Sequence, residues 1–228
     1  MKNESNSSSG ISVILDKSGI YDLIAVLLPG ISILTFSVLV IQYVYEIEIK
    51  DLQINETLTF LVLSYFIGLI FQEFGSLLQN KLIFRKDKLI RHVLNPSINS
   101  HFYLSETEKN GVYRYVAEKL NLNTAGDIDA IIYNYCKFYV LGSGNTTRID
   151  KDQSLSAMSR SLSLYFLMLC IIAVSSLFYQ LSLSKILLSV ISAIFAIVLY
   201  LRCTRFAKLR CVNIIRTFYY NVIGNSAE

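Results

Sequence analysis

Four apolar blocks dominate this sequence of 228 residues, and each is long enough to cross a bilayer as a helix. About 20 apolar residues cover the roughly 30 Å of the hydrocarbon layer. With 53% hydrophobic and only 17% charged residues, a water-soluble fold would have to bury all four blocks on every side. We therefore predict an all-α integral membrane protein with four transmembrane helices. The blocks run from Leu23 to Tyr45, Thr57 to Leu78, Ser161 to Tyr179 and Lys185 to Leu201.

The basic residues between the blocks predict the orientation, because basic loops resist translocation. The connection 46–56 contains one lysine and four acidic residues, whereas 81–91 and 202–216 contain five basic residues each. Both termini and the segment between the second and third blocks are therefore expected in the cytoplasm. The Asn, Ile, Lys and Ser content is typical of an AT-rich bacterial genome, so we expect a multi-pass protein of the bacterial inner membrane.

Five segments follow from this topology. We predict a cytoplasmic N-terminal tail (1–20), transmembrane helices 1 and 2 (21–80), a small helical cytoplasmic domain (81–158), transmembrane helices 3 and 4 (159–202) and a basic C-terminal helix (203–228).

Helix start and stop signals subdivide the inserted domain. A first helix is predicted from Lys81 to Leu94, and a capping box formed by Ser105 and Glu108 opens a second that ends near Leu120. Apolar residues recur at helical spacing in 128–138 and predict a third helix, which Gly-Ser-Gly-Asn at 142–145 closes. The helical pattern of the fourth block continues to about position 220.

Four ionisable residues lie in or beside the cytoplasmic ends of the blocks: Asp22, Glu73, Arg160 and Arg202. A carboxylate inside a span is costly and usually has a partner or a water-filled surface. Three interpretations of Glu73 stay open. It belongs to a structural ion-pair layer and contacts Arg160, it lines or gates a pore, or it extends to the interface.

A stripe of small and polar residues follows the second block, and a shorter one follows the fourth. Such stripes let membrane helices approach closely and form hydrogen bonds. They indicate packing within one subunit, a seam between subunits or the wall of an aqueous path. The residues are Ser64, Gly68, Gln72 and Ser76 in the second block and Ser192 and Ala196 in the fourth.

In the first block, Pro29 and Gly30 predict a kink, either a hinge or a passive bend.

Two basic clusters beside the blocks predict contact with anionic lipid headgroups, at roughly 1 kcal/mol per basic residue. Motifs for nucleic acid, cofactors or catalysis are not found in the sequence, and His92 and His101 lack metal-binding spacing. The four cysteines have neither zinc nor disulfide spacing. We expect a non-enzyme without cofactor or metal. The headgroup candidates are Lys81, Arg85, Lys86, Lys88, Arg205 and Lys208.

Two spans, a small basic helical domain and two further spans form a layout that resembles small four-span membrane effectors of bacterial antiviral defence systems. The resemblance covers most of the chain and carries over no residues. It implies a homo-oligomeric, channel-like effector whose cytoplasmic domain receives a protein partner or a small anionic ligand and alters transmembrane packing or permeability. The alternative is a non-enzymatic anchor or adaptor that recruits a cytosolic partner.

Overall fold

The computed structural model of the chain describes residues 23–45, 54–78, 90, 94, 104–121, 128–144 and 146–224. All secondary structure in these ranges is helical, which confirms the all-α prediction for them. A five-residue π-helical turn, Leu23–Leu27, precedes α1, and another, Tyr219–Ile223, follows α6. The α-helices are α1 (Leu28–Val44), α2 (Ile54–Leu78), α3 (Glu106–Leu120), α4 (Ile128–Gly142), α5 (Thr147–Leu177) and α6 (Leu183–Phe218).

Four helical segments are long and apolar enough to cross a membrane, and each overlaps one of the four predicted blocks. They are Leu23–Gln42, Thr57–Leu78, Thr147–Leu177 and Leu183–Ile223. At 1.5 Å per residue, α5 with 31 residues and α6 with 36 residues are about 46 Å and about 54 Å long. Both exceed the roughly 30 Å of a hydrocarbon layer. The predicted helical continuation of the fourth block is thus confirmed, and the third block also continues as a helix on its N-terminal side.

The chain divides into two compact units, and α5 and α6 each contribute to both. The first unit comprises Met1–Leu77 and Ser154–Thr204, and the second comprises Leu78–Gln153 and Arg205–Glu228. The first unit therefore contains α1, nearly all of α2 and most of the apolar length of α5 and α6. The second contains α3, α4, the first residues of α5 and the last part of α6.

Small apolar clusters and an apolar surface characterise the first unit. One cluster joins Ile33 and Val40 of α1 to Tyr165, Phe166 and Leu169 of α5 and Ala196 of α6. A smaller one consists of Ala25, Val26 and Ala157. Large apolar side chains cover the outside, as expected for helices surrounded by lipid. Examples are Leu63, Phe66, Ile70, Phe74, Ile171, Leu187, Ile194 and Ile197.

A larger apolar core holds the second unit together. It joins Val112 and Val116 of α3, Ile132, Cys136 and Val140 of α4, Ile149 of α5, and Ile214, Ile215 and Phe218 of α6. Phe218 lies at its centre, fully buried. Three tyrosine rings, those of Tyr115, Tyr135 and Tyr139, contact its ring edge to face at centroid distances of 5.9, 5.8 and 5.2 Å.

The helix ends in the second unit match the predicted signals. The Ser105 hydroxyl accepts a hydrogen bond from the Glu108 N–H (3.1 Å), and the Ser105 N–H donates to the Glu108 carboxylate (2.8 Å), so the capping box is confirmed. Helix α3 ends at Leu120, and α4 ends at Gly142, as predicted. Of the predicted helix 81–94, the described residues are Ile90 and Leu94, which are helical and buried.

Candidate functional site

The backbones of α1 and α2 are in direct contact, and two glycines allow it. A Cβ atom at Gly30 would overlap the carbonyl oxygen of Ser64, and one at Gly68 would overlap the carbonyl oxygen of Val26. Ser64 is fully buried, and its hydroxyl donates to the Phe60 carbonyl of its own helix at 2.7 Å. This part of the predicted small-residue stripe thus packs within the chain.

The same contact explains the Pro29-Gly30 pair. The helix changes from π to α winding between Leu27 and Leu28, and the buried proline occupies the first turn of α1, where a missing N–H costs least. Gly30 is held against a neighbouring backbone. This geometry favours the passive interpretation of the pair over a hinge.

The C-terminal part of the stripe faces α5. Gly75 is buried, and a Cβ atom there would lie 3.0 Å from the Cγ atom of Arg160. Gln72 and Ser76 are half-buried on either side of it. The aliphatic part of the Arg160 side chain therefore packs closely against α2 at Gly75.

Glu73 lies on a different side of α2 from Gly75, the position that packs against Arg160. Glu73 is exposed, and it lies two residues, or roughly 200° around the helix, from Gly75. The predicted Glu73–Arg160 contact stays a prediction, while the described packing places Gly75 against the Arg160 side chain. Arg202 is exposed, and Asp22 lies outside the described residues. A pore-lining or interfacial role for Glu73 stays a prediction.

Serine hydroxyls connect α5 to the backbone of α6. Ser163 donates to the Ala196 carbonyl at 2.9 Å, and Ser156 donates to the Cys203 carbonyl at 3.3 Å. The donors and the acceptors are each seven residues apart, so the antiparallel helices keep one register over two turns. The sequence analysis selected Ala196 but missed both donors. Their i, i+7 spacing in a serine-rich segment was the available signal.

Two further hydroxyls, those of Ser159 and Ser192, belong to the same pair of helices. Both side chains are buried, and neither hydroxyl has a hydrogen-bond partner among the described residues. Ser159 lies between the two serine donors of α5. Ser192 lies one turn from Ala196, on the face that the sequence stripe predicted. The seam between α5 and α6 therefore contains polar groups whose hydrogen-bonding capacity is not used in this packing.

A tyrosine links α1 to α5. The hydroxyls of Tyr165 and Ser37 lie 3.1 Å apart, and the Tyr165 ring packs edge to face against Phe71 of α2 at 5.9 Å. The sequence analysis did not select either hydroxyl. Together with the glycine and serine contacts, this bond joins α1, α2, α5 and α6 within the first unit.

In the second unit, a buried carboxylate joins α3 to the end of α6. Arg216 Nε donates to Glu108 at 3.0 Å, with Glu108 8% and Arg216 40% exposed. Burial raises the pKa of Glu108, but hydrogen bonds from the Ser105 N–H and from Arg216 outweigh it and bring the pKa below its usual value. Glu108 is therefore ionised at neutral pH and fixes both the start of α3 and its contact with α6.

A second polar contact joins α5 to α6 directly. The Asn213 amide donates to the Asp152 carboxylate at 2.6 Å, and both side chains are buried. Both residues belong to the second unit, and Asp152 lies two residues before α5 enters the first. The sequence analysis missed this pair, since neither residue lies in a motif.

Two buried groups of α4, the Cys136 thiol and the Tyr133 phenol, have raised pKa values. Burial raises the pKa of Cys136 to about 12. Burial and the neighbouring Cys211 raise the pKa of Tyr133 above its usual range. Among the described residues, no group of three or more His, Cys, Asp or Glu side chains could hold a metal ion.

Of the predicted headgroup candidates, Arg205 is exposed and Lys208 half-buried, while positions 81, 85, 86 and 88 lie outside the described residues.

Comparison with known proteins found no family model, no curated protein and no solved structure that matches this chain.

Proposed function

We propose that this chain is a homo-oligomeric, channel-like effector of the bacterial inner membrane that acts in antiviral defence. In this proposal the second unit lies in the cytoplasm, receives a protein partner or a small anionic ligand, and changes the packing of the transmembrane helices. The supporting observation is that α5 and α6 belong to both units and are joined by polar contacts in each.

The contacts provide a physical route for the signal. In the second unit, Asp152 and Asn213 hold α5 and α6 together, and Glu108 holds α3 to α6 through Arg216. A ligand that changes these contacts would alter the separation or rotation of the two helices at this end. Rigid helices transmit such changes along their length, provided that the packing in the first unit has a second arrangement.

The seam between α5 and α6 suits such a rearrangement. Its hydroxyl bonds go to backbone carbonyls, which recur along the helix and are available in more than one register. The unused hydroxyls of Ser159 and Ser192 would gain partners, either protein or water, if the helices moved. In the oligomer, a polar surface of this kind forms the wall of the conducting path.

The effector proposal predicts that expression of the chain from an inducible promoter, with a phage challenge as trigger, depolarises the inner membrane. A voltage-sensitive dye measures the change. The Asp152→Ala variant should lose the triggered response, whereas Ser175→Ala should keep it. Ser175 is exposed, and its hydroxyl donates to the Ile171 carbonyl of its own helix.

The oligomeric state in lipid nanodiscs provides the second measurement. A closed ring supports the proposal, and a monomer contradicts it. An unchanged membrane potential, together with a soluble protein that co-purifies with the wild type, would instead establish the alternative function of a membrane anchor or adaptor.

A further inference from the structure

A buried lysine lies in the first turn of α6. Lys185 is the third residue of this helix and is only 9% exposed, and the first turn contains no acidic residue. The unbonded N–H groups and the aligned peptide dipoles give the start of a helix a partial positive charge, so a cation is unfavourable there. Burial of the ammonium adds a desolvation cost. A bound anion at this position would offset both costs.

The described contacts of the Lys185 ammonium do not neutralise its charge. Nζ donates to the amide oxygen of Gln180 at 3.4 Å, which is long for a hydrogen bond, and lies 5.8 Å from the ring centre of Tyr45. Both groups are uncharged. Gln180 is exposed, so its amide can move aside for a stronger acceptor.

The described part of the first unit offers Lys185 no carboxylate. Glu73 is the one acidic side chain that the structure describes in this unit. The backbone contacts of Gly30 and Gly68 pair the beginning of α1 with the second half of α2, so Glu73 lies near the beginning of α1. Tyr45 directly follows the end of α1, roughly 30 Å further along the helix axis.

The turn beside Lys185 is apolar and exposed. Phe178, Tyr179, Leu181 and Leu183 are between 73% and 93% exposed, and they lie where two candidate spans end. Aromatic and aliphatic side chains at the end of a span are typical of the boundary between headgroups and acyl chains. The negative groups at this level of a bilayer are the phosphates of the phospholipids.

We infer that Lys185 and the first turn of α6 bind the phosphate group of a phospholipid. The phosphate replaces the Gln180 amide at Nζ, and the unbonded N–H groups at the start of α6 supply further donors. The inference uses the membrane location of the first unit alone and holds whether the protein is an effector or an anchor.

The chain contains no tryptophan, so Leu181→Trp places a single fluorescent reporter in the turn beside the site. The full-length reporter protein is reconstituted in phosphatidylcholine vesicles, and a small fraction of brominated phosphatidylglycerol or brominated phosphatidylcholine is added as quencher. Phosphatidylcholine has the same phosphate with a cation of its own, whereas phosphatidylglycerol has none. Brominated phosphatidylglycerol should reach half-maximal quenching at an about fivefold lower mole fraction, the preference that one basic residue near the surface provides.

Substitutions of Lys185 in the reporter protein test the role of its charge. Lys185→Gln should remove the preference for phosphatidylglycerol, and Lys185→Arg should keep it. The matched control is Arg202→Gln, which changes the net charge equally but lies about 25 Å away along α6 and should keep the preference. Protection of the buried Cys203 from alkylation confirms that the first unit is folded, and Lys185→Met replaces Lys185→Gln if that variant is not.

Three results would overturn the inference. A reporter protein without the preference would leave the counter-charge to the acidic connection 46–56. A preference that persists in Lys185→Gln would place the phosphate elsewhere. A preference that excess inorganic phosphate abolishes, while sodium chloride of equal ionic strength does not, would assign the site to the free anion instead of the lipid.

Discussion

The two units of this chain are both helical but are held together in different ways. The first has small apolar clusters, an apolar outer surface, backbone contact at Gly30 and Gly68, and hydroxyl bonds from Ser156 and Ser163. The second has one larger apolar core and polar contacts between side chains of different helices, such as Arg216–Glu108 and Asn213–Asp152. The difference is the one expected from the proposal that the first unit lies in lipid and the second in water.

In lipid, apolar side chains gain little by leaving the solvent, so helices associate through close packing and hydrogen bonds. In water, the burial of apolar area drives association, at about 25 cal/mol per Å². The first unit follows the former pattern and the second the latter. Substitutions that remove space should therefore damage the first unit most, and those that remove a buried polar partner should damage the second.

The buried thiols allow each unit to be measured separately. Cys203 is buried in the first unit and Cys136 in the second, so each must become exposed before it reacts with a maleimide. Mass spectrometry of the labelled peptides then gives the opening of each unit in the same sample.

We expect the largest effect from Gly30→Val. The new side chain cannot be accommodated beside the Ser64 carbonyl without separating α1 from α2. Overpacking in a dense core destabilises a protein by about 1–3 kcal/mol. A side chain that overlaps backbone atoms should cost at least the upper value, because the backbone cannot move aside as a flexible side chain can. In detergent, the labelling of Cys203 should accelerate by about a hundredfold or the first unit should fail to assemble.

The matched control is Gly142→Val at the end of α4, where a Cβ atom would meet nothing within 4 Å. It should leave the labelling of Cys203 unchanged. An equal effect of the two glycine substitutions would contradict the close-packing description of the first unit.

The second prediction concerns Asp152→Ala in the second unit. The substitution leaves the buried Asn213 amide without its partner, which costs about 1–3 kcal/mol. The labelling of Cys136 should therefore accelerate by about 5- to 150-fold. Asp152→Asn retains an acceptor oxygen and should lose much less. If both variants behave alike, the charge rather than the hydrogen bond is what the second unit needs.

Much of the architecture could be predicted because it depends on local patterns. The length of the apolar blocks, the capping box at Ser105 and the end of α4 at Gly142 all follow from residues close together in the chain. The site could be predicted only in part. Gly68 and Ser64 were found by their spacing, whereas Gly30 was identified as a kink and not as a contact.

The remaining contacts depend on which sides of the helices face each other. Glu73 and Arg160 were paired by depth, and the contact between Gly75 and Arg160 does not follow from depth. Glu108 and Arg216 are separated by 108 residues, and no local pattern relates them. Ser163 bonds to a backbone carbonyl, an acceptor that every residue has, so the sequence does not indicate the partner.

A smaller effect is expected from Glu108→Gln, which retains the capping interaction but loses the charge opposite Arg216. Because Arg216 is partly exposed, solvent screening limits the loss to about 1 kcal/mol. The pKa of Glu108 is lowered in the folded protein, so its contribution is complete above the usual carboxyl pKa of 4.5 and is lost as the pH falls through the lower folded value.

Urea unfolding of the second unit, followed by tyrosine circular dichroism, tests this sign. The difference between wild type and Glu108→Gln should be constant from pH 6 to 8 and decrease below pH 4.5. A difference that grows on acidification would show that Glu108 is not held ionised by Ser105 and Arg216.

The smallest effect is expected from Ser163→Ala in the first unit. Hydrogen bonds between membrane helices contribute about 0.6 kcal/mol on average, because the separated helices also find partners for their polar groups. The labelling of Cys203 should therefore accelerate only about threefold, and Ser175→Ala, which removes a hydroxyl bonded within its own helix, should have no effect. A loss as large as that of Asp152→Ala would mean that the seam between α5 and α6 depends on the hydroxyl bond itself. The two units would then be stabilised in the same way. The unused hydroxyls of Ser159 and Ser192 could then not replace the Ser163 bond at a small cost in free energy when the helices move.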